Sequence, residues 1–351
     1  MALKLPKEEM EENWELIKKI TLFLFKEDFK KHKTTTPAKP PLKPQKSSLA
    51  NHRLIEKGRE VLKEQENLKK VFKTMMMLGS GGFGSVYVGK DLTQAKMRVA
   101  IKKLSHIEEK RRITNLAEIG FLASCDHPNI VQYFSAWISS DPKKATDIYL
   151  ILEYLQGGTL SQAVSSFQFG ELQIAFLGRE ILKALQYLHQ RNWAHRDLKS
   201  ANVMLDINGN VKIIDFGLCI DVTDGSLTTM VGSPYWIPPE MIKGAPHNLP
   251  VDIWSFGVCL LELFLLSPPY HKSPLKCMYK VATEGLAHLI PKGATQEAKQ
   301  LLERCLEQNP NDRPTPEELL QMSFFQRQGV DKALAGVLRD IFMTNSLTSV
   351  M

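Results

Sequence analysis

The chain has 351 residues, of which 43% are hydrophobic and 24% are charged, so it is long enough for two or three structural units with a full core. Its net charge of +7 is concentrated in residues 1–72, which carry 17 Lys and Arg against 11 Asp and Glu, whereas the remaining 279 residues carry 28 against 27. A nearly neutral body excludes a large basic face, and with it a nucleic-acid-binding protein.

The five cysteines indicate a reducing compartment. Their number is odd, no two are close in the sequence, and no Cys-x-x-Cys occurs, so neither a disulfide framework nor a zinc site is indicated. The acidic run at 8–12 is foreign to a signal peptide, and the apolar run 21–25 is far too short to cross a bilayer. We therefore expect a cytoplasmic protein with no transmembrane segment.

Residues 1–72 are expected to form a partly disordered extension. Apolar residues at helical spacing predict one amphipathic helix within residues 7–30 and another within residues 50–72. Between them, residues 30–48 are rich in Lys, Thr and Pro and cannot bury enough apolar surface to fold alone, which predicts a linker. Residues 41–46 fit P-x-x-P-x-[K/R], a form that adaptor domains bind; a stiff, solvated spacer is the default alternative.

The pattern changes to strands and turns from Phe72. Positions 79–86 read G-x-G-x-x-G-x-V, and the glycines are Gly79, Gly81 and Gly84. A dinucleotide-binding turn uses the same glycines but needs a helix that begins at the last one. Alternating apolar residues follow here, so a strand–loop–strand hairpin is favoured. Its glycines would let backbone N–H groups approach phosphates closely.

Two further motifs carry the chemistry. Positions 195–202 read H-R-D-L-x-x-x-N, and D-F-G stands at 215–217, eighteen positions after Asp197. This set supplies a carboxylate that can accept a hydroxyl proton and oxygen ligands that can hold Mg²⁺ against phosphates. In this order the motifs closely resemble the protein-kinase family, and the resemblance covers roughly residues 73–325.

The resemblance implies an α+β, bilobal protein-kinase fold, with a small β-rich N-lobe and a larger, mainly helical C-lobe. It divides the chain into an N-terminal extension (1–72), a kinase domain (73–325) and a C-terminal tail (326–351). Apolar residues at helical spacing in the tail predict a terminal packing helix.

The resemblance also implies catalytic roles. Asp197 would accept the proton of the substrate hydroxyl, and Lys199 would neutralise charge on the transferring phosphoryl group. Lys102, which ends the apolar strand pattern 99–102, would grip the α- and β-phosphates of ATP. Glu118, sixteen positions further on, is the expected partner of Lys102.

Asn202 and Asp215 would hold the Mg²⁺ ions, and Leu122 would pack toward Phe216 and His195. The ATP contacts implied by the family are spread over the glycine-rich hairpin, the next strand, the segment between the lobes and one strand of the C-lobe. They are Leu78, Gly79, Gly81, Gly84, Val86, Ala100, Lys102, Glu153, Leu155 and Leu205.

The segment between Asp215 and Glu240 has the length of a kinase activation loop. Its phrase T-M-V-G-S-P-Y-W at 229–236 is similar to the sterile-twenty group of kinases and nearest to its PAK branch. On that resemblance Thr229 is the activating phosphosite, whose phosphate would pair with Arg196. An unmodified Thr in a flexible loop is the alternative.

Two contacts outside the catalytic set are also expected on resemblance. Ser233 would pack against Asp197 and Lys199. The family's Ala-Pro-Glu reads Pro-Pro-Glu at 238–240, and Arg313 is the expected partner of Glu240 in a buried ion pair.

The function implied is that of a Ser/Thr protein kinase in a signalling cascade, which uses ATP and Mg²⁺ on protein substrates. Lys199 followed by Ser resembles the Ser/Thr-specific loop, and Leu218 resembles residues that favour Ser acceptors. A pseudokinase-like scaffold is the alternative, against which the complete catalytic set argues. A small-molecule kinase is a second alternative, which the full activation segment disfavours.

The extension bears on partners. PAK-like kinases often carry a small-GTPase-binding phrase of the form Ile-Ser-x-Pro with two spaced histidines. Residues 1–72 contain only His32 and His52 and lack the phrase, which puts a small-GTPase partner in doubt. The basic linker would suit weak, salt-dependent contact with acidic lipids equally well.

Overall fold

The N-lobe is built on a six-stranded sheet, and the C-lobe is mainly helical, which is the α+β architecture that the resemblance implied. The structure is a computed structural model. It describes residues 13–25, 49–81, 84–206, 208–327, 329–330 and 334. Within these ranges no helix has the length and apolar content that a bilayer crossing requires.

The sheet of the N-lobe has the spatial order β1-β5-β6-β4-β3-β2, and its neighbours are antiparallel except that β1 runs parallel to β5. Its register sets Val86 opposite Lys102 and Ala100 opposite Leu152. The helix α3 (Glu109–Ser124) packs against this sheet and buries Ile119. The strands are β1 (Leu62–Gln65), β2 (Phe72–Gly81), β3 (Gly84–Asp91), β4 (Met97–Ser105), β5 (Tyr133–Ser139) and β6 (Asp147–Glu153).

The C-lobe surrounds one central helix, α7, which is buried continuously from Val251 to Leu263. Because α7 is apolar on nearly all sides, it belongs in the interior rather than on the surface. In chain order, the C-lobe helices are α4 (Leu160–Ser166), α5 (Glu171–His189), α6 (Pro239–Lys243), α7 (Pro250–Leu265), α8 (Pro274–Thr283), α9 (Gln296–Cys305) and α10 (Pro316–Leu320). Short strands lie at its upper edge: β7 (Gly158–Thr159), β8 (Trp193–Ala194), β9 (Val203–Leu205), β10 (Val211–Ile213) and β11 (Ile220–Asp221).

The extension contributes two helices that pack on different lobes. The helix α1 (Trp14–Leu24) lies on α8 and α6 of the C-lobe, buries Ile17 and Ile20, and donates a hydrogen bond from Lys19 Nζ to the carbonyl of Lys243 at 2.8 Å. The helix α2 (Leu49–Val61) packs along α3 of the N-lobe.

The helix predicted within residues 50–72 is wrong beyond Val61, where the chain enters β1. The hydrogen bonds of β1 come from β5, more than seventy residues away, and a local pattern cannot reveal that pairing. The predicted linker at 30–48 and most of the tail at 326–351 lie outside the described residues.

The buried ion pair predicted between Glu240 and Arg313 is confirmed. The Arg313 guanidinium donates to both carboxylate oxygens of Glu240, at 2.7 and 2.8 Å, and both side chains are almost fully buried. It also donates to the carbonyl of Pro250 and lies over the Trp254 ring, 5.1 Å from the centroid. This bidentate pair joins the end of the activation segment to the lower C-lobe.

Replacing Arg313 with Ala is expected to lower the free energy of unfolding by about 3–5 kcal/mol, because Glu240 would stay buried without a partner. Urea denaturation monitored by circular dichroism measures this loss. Arg59→Ala is the matched control: Arg59 pairs with Glu56 at 2.7 Å, but the two side chains are 59% and 49% exposed. The control should change stability by less than about 1 kcal/mol. Equal losses in the two variants would contradict the buried-charge argument.

Candidate active site

Three charged side chains from separate elements meet between the lobes. Lys102 on β4 donates hydrogen bonds to Glu118 of α3 at 2.6 Å and to Asp215 at 2.7 Å. Burial alone would lower the pKa of Lys102, but the two carboxylates outweigh it and raise that pKa above its ordinary value. Burial also opposes ionisation of Asp215, yet the Lys102 ammonium holds the pKa of Asp215 below its ordinary value. Lys102 is therefore a cation, and Asp215 is an anion beside it.

Asp197 is fixed by its neighbours through one oxygen only. Its Oδ2 accepts hydrogen bonds from Lys199 Nζ at 2.9 Å and from Asn202 Nδ2 at 3.2 Å. Among the described residues, its buried Oδ1 has no hydrogen-bond partner. Lys199 Nζ also donates to Ser233 Oγ at 2.7 Å, which connects the catalytic loop to the activation segment. The loop thus presents a positioned carboxylate with one free oxygen, as a general base requires.

The support of this loop was missed in the sequence. Asp252 of α7 is fully buried, and its carboxylate accepts hydrogen bonds from the backbone N–H groups of His195 and Arg196, both at 2.8 Å. His189 Nε2 lies 2.9 Å from the same carboxylate. Burial opposes the charge, but His189 and the backbone donors bring the pKa of Asp252 below its ordinary value. The available signal was a lone acid in the apolar stretch 251–254.

Two site residues other than glycine adopt left-handed backbone conformations: Arg196 with φ of 63° and Asp215 with φ of 64°. Such conformations cost on the order of 1–3 kcal/mol each and persist only where the surroundings hold them. Here Asp252 holds the backbone of Arg196, and Lys102 holds the side chain of Asp215. Within the site, the left-handed conformations thus fall on two residues whose orientation matters for the chemistry.

The glycine-rich hairpin joins β2 to β3, and Gly82 and Phe83 at its tip lie outside the described residues. Gly84 has φ of +128°, and a Cβ there would lie 2.1 Å from the carbonyl oxygen of Lys103, so the turn requires glycine. At Gly79 an added Cβ would meet no atom within 4 Å. No contact in the described part of the chain requires a glycine at Gly79.

The predicted adenine contacts lie on both sides of the cleft. Val86 and Ala100 are on adjacent strands of the N-lobe, and Leu205 is fully buried on β9 of the C-lobe. The Glu153 carboxylate accepts a hydrogen bond from the Gln132 backbone N–H and pairs with Lys212, both at 2.7 Å. Because these two contacts occupy the side chain, the nucleotide contact predicted at Glu153 would have to use its backbone groups. Leu78, Gly81 and Leu155 complete the set, on β2 and just after β6.

Part of the hydrophobic contact expected behind this site is observed. The rings of His195 and Phe216 meet edge to face with centroids 5.2 Å apart. Leu122 is 2% exposed and belongs to the same core. Direct contact of Leu122 with these two rings stays a prediction.

The donor set fits a Mg²⁺ ion that arrives with a nucleotide. Asn202 donates a hydrogen bond from Nδ2 to the Asp197 carbonyl at 2.9 Å, which leaves its amide oxygen available to a cation. Asp215 gives Oδ1 to Lys102 and keeps its second oxygen. In the described residues, no cluster of three or more His, Cys, Asp or Glu could hold a metal alone. Two protein oxygens completed by phosphates and water are a common Mg²⁺ arrangement.

Thr229 is exposed on the activation segment, and Arg196 contacts the same segment at Leu218 and Gly232. The Arg196 Nε donates to the Leu218 carbonyl at 2.9 Å, and no described carboxylate lies within 4 Å of its guanidinium. Burial lowers the pKa of Arg196 to about 10. Gly232, with φ of +102°, approaches so closely that a Cβ would lie 2.6 Å from the Arg196 carbonyl oxygen. Thr229 is three residues upstream, hence within about 10 Å of this contact.

A second carboxylate touches the catalytic loop from α7. Glu262 Oε1 accepts a hydrogen bond from Ser200 Oγ at 2.7 Å, and Oε2 is buried with no partner among the described residues. Burial raises the pKa of Glu262 to about 7, although the Ser200 hydroxyl opposes the shift. Glu262 therefore changes its protonation near neutral pH.

Comparisons with known proteins agree with this geometry. A family model described as protein kinase domain matches residues 72–325. The probable serine/threonine-protein kinase mkcC of Dictyostelium discoideum is 42% identical over 287 residues, which cover 82% of this chain and 32% of that protein. The serine/threonine-protein kinase CLA4 of Candida albicans is 35% identical over 324 residues, which cover 88% of this chain and 33% of that protein. The serine/threonine-protein kinase STE20 of Candida glabrata is 34% identical over 269 residues, which cover 76% of this chain and 29% of that protein.

The chain thus spans about a third of the length of these three relatives. The similarity to the sterile-twenty group that the activation segment indicated is confirmed, since STE20 and CLA4 are among the relatives.

Glu262→Gln is expected to change the pH dependence of stability. The folded chain keeps the Glu262 proton up to a pH of about 7, whereas the unfolded chain releases it near the ordinary value of 4.5. The wild type therefore loses stability through this group as the pH rises between those values, and the Gln variant does not. The variant should gain up to about 3 kcal/mol on the wild type between pH 5 and pH 8.

Urea denaturation at pH 5, 6, 7 and 8 measures this gain, and the exposed Glu317→Gln serves as the control for the charge change itself. A difference between wild type and Glu262→Gln that stays constant over this range would show that Glu262 does not titrate there.

Proposed function

Because this chain belongs to the protein kinase family, we propose that it acts as a serine/threonine kinase, transferring the γ-phosphoryl group of ATP to hydroxyl groups of protein substrates. The observation that carries the proposal is the state of Asp197. Lys199 and Asn202 hold one carboxylate oxygen, and the other is free among the described residues. A carboxylate held in this way orients a hydroxyl group and accepts its proton.

ATP with Mg²⁺ supplies the phosphoryl group and neutralises its charge. Lys102, held in place by Glu118, contacts the α- and β-phosphates. Asn202 and Asp215 supply the protein oxygens that hold the metal. Glu118 lies on α3 and Asp215 follows β10, so the two hydrogen bonds of Lys102 form only when all three elements are correctly placed.

Lys199 has two functions in this proposal. It lies 2.9 Å from Asp197, where its charge offsets the charge that develops on the phosphoryl oxygens. Its second hydrogen bond, to Ser233, holds the activation segment against the catalytic loop. The acceptor hydroxyl therefore enters between these two segments.

The activity is regulated by phosphorylation of Thr229. Arg196 is a half-buried cation without a carboxylate partner in the described chain, in contact with the activation segment. A phosphate on Thr229 adds close to two negative charges and can form charge-assisted hydrogen bonds with the guanidinium. The backbone pairing of Leu227 with His247 anchors the segment upstream, so a short stretch remains to be ordered.

Asp197→Asn is expected to lower kcat by about 10²- to 10⁴-fold, because the amide cannot accept the hydroxyl proton. Affinity for Mg²⁺–ATP should stay within about twofold, since Asp197 does not contact the nucleotide. Transfer of labelled phosphate to a generic basic protein and titration with a fluorescent ATP analogue measure the two quantities.

Asp141→Asn, in a surface turn of the N-lobe, is the control for this experiment. If the intact chain with phosphorylated Thr229 binds Mg²⁺–ATP but transfers no phosphate, the kinase proposal fails and a scaffold takes its place.

Thr229→Ala is expected to lower kcat/KM by about 10- to 100-fold in protein treated with ATP, because one or two charge-assisted hydrogen bonds to Arg196 are lost. Thr228→Ala is the matched control, since this neighbour is also an exposed threonine. Mass spectrometry locates the phosphate, and initial rates give kcat/KM. Equal effects of the two substitutions, or phosphate on Thr228 alone, would contradict the assignment of Thr229.

A further inference from the structure

Residues 49–65, which we call the brace, lie before the part of the chain that the family model matches. They comprise the helix α2 and the strand β1. Their contact with α3 is a contact between backbones. A Cβ at Gly58 would lie 2.0 Å from the carbonyl oxygen of Leu116, and a Cβ at Gly120 would lie 1.9 Å from that of Leu54. The order of these contacts shows that α2 and α3 run antiparallel.

The two contact points on α3 enclose Glu118. Leu116 and Gly120 stand two residues before and two residues after it, and Glu118 projects to Lys102 on the sheet. Since the backbones meet without side chains between them, α2 fixes the distance of α3 with little freedom. Leu54 is 6% exposed and belongs to the main core. The brace therefore acts on the one turn of α3 that carries the ion pair.

The brace is attached at two further places. Its strand β1 pairs with β5 in parallel register from Leu62 opposite Ala136 to Gln65 opposite Ser139. The Asn51 side-chain oxygen accepts a hydrogen bond from the backbone N–H of Asp221, on β11, at 3.1 Å. The brace thus connects α3, the sheet and the segment just after D-F-G. Outward movement of α3 would have to break one of these attachments.

We propose that the brace is a positioning element of the active site, and that Gly58 and Gly120 are the residues through which it holds Glu118 against Lys102. This inference rests on the proposed roles of Lys102 and Glu118. The state of the structure favours an activating brace over an inhibitory one, because the Lys102–Glu118 hydrogen bond is formed at 2.6 Å while the brace is in place.

The test is Gly58→Ala in the full chain. Real Cβ atoms essentially never approach another atom below 3.0 Å, so the 2.0 Å contact forces the helices apart by about 1 Å. A displacement of this size at a positioning group costs up to about 100-fold in rate. We expect kcat/KM for ATP to fall by about 10- to 100-fold, and the KM for the protein substrate to stay within twofold because that substrate binds elsewhere.

Gly293→Ala is the matched control, because a Cβ there meets no atom within 4 Å. Helix propensity acts in the opposite direction, because Ala is more favourable than Gly within a helix by about 1 kcal/mol. A loss of kcat/KM in Gly58→Ala therefore cannot come from a weaker helix α2. Glu118→Gln supplies the second arm. If Gly58 acts through Glu118, then Gly58→Ala should have little further effect in the Glu118→Gln background.

The outcomes separate the brace from the kinase proposal. Unchanged kcat/KM with a lowered Tm would make the brace merely structural, and a raised kcat/KM would make it inhibitory; either result overturns the inference.

If the chain transfers no phosphate, the affinity for a fluorescent ATP analogue with Mg²⁺ still tests the brace. Gly58→Ala must weaken this affinity at least about tenfold, and Gly293→Ala must leave it unchanged. If Gly58→Ala does not fold, Leu54→Ala removes the buried side chain that anchors α2 next to this contact, without a clash, and should weaken that affinity about threefold or more.

Discussion

The site depends on a buried cation that three separate elements must meet at once. Lys102 stands on the sheet, Glu118 on α3 and Asp215 after β10, and all three side chains lie mostly out of water. Removing such charges from solvent costs several kcal/mol per ion, which only close pairing offsets. The cluster is therefore stable in one arrangement of the lobes and unstable when any element shifts. Whether the cluster is formed therefore depends on the relative positions of all three elements, at the place where the phosphates are expected to bind.

The two lobes meet this constraint in different ways. In the C-lobe, the buried Asp252 on the central helix α7 accepts hydrogen bonds from the backbone N–H groups of His195 and Arg196, and α7 itself is buried from Val251 to Leu263. The N-lobe has no central helix, and α3 lies on one face of its sheet. Its position must be set from outside, by the core beneath it and by the brace along its other side.

Motifs with fixed chemistry were predictable from the sequence, whereas supports between distant elements were not. The spacing of Lys102 and Glu118 and the expected pairing of Glu240 with Arg313 agree with the contacts observed. Asp252 was missed because its partners are the backbone N–H groups of His195 and Arg196 and a histidine, His189, that lies 63 positions earlier in the chain. The prediction of helix for the residues of β1 is wrong because the pairing of this strand with β5 leaves no signal in local periodicity. The need for glycine at Gly58 and Gly120 was not predictable, because it arises only from the contact between two helices that are distant in the sequence.

The extension connects both lobes and supplies no atom to the cleft in the described residues. The helix α1 buries Ile17 and Ile20 against the C-lobe, while α2 contacts the backbone of α3 in the N-lobe. Such an element can affect the reaction only through geometry, and the backbone contact at Gly58 gives it a direct means. A side-chain interface could relax around a shift of 1 Å by changing rotamers, but two apposed backbones cannot. The position of Glu118 is therefore tied to a segment that the chemistry itself never uses.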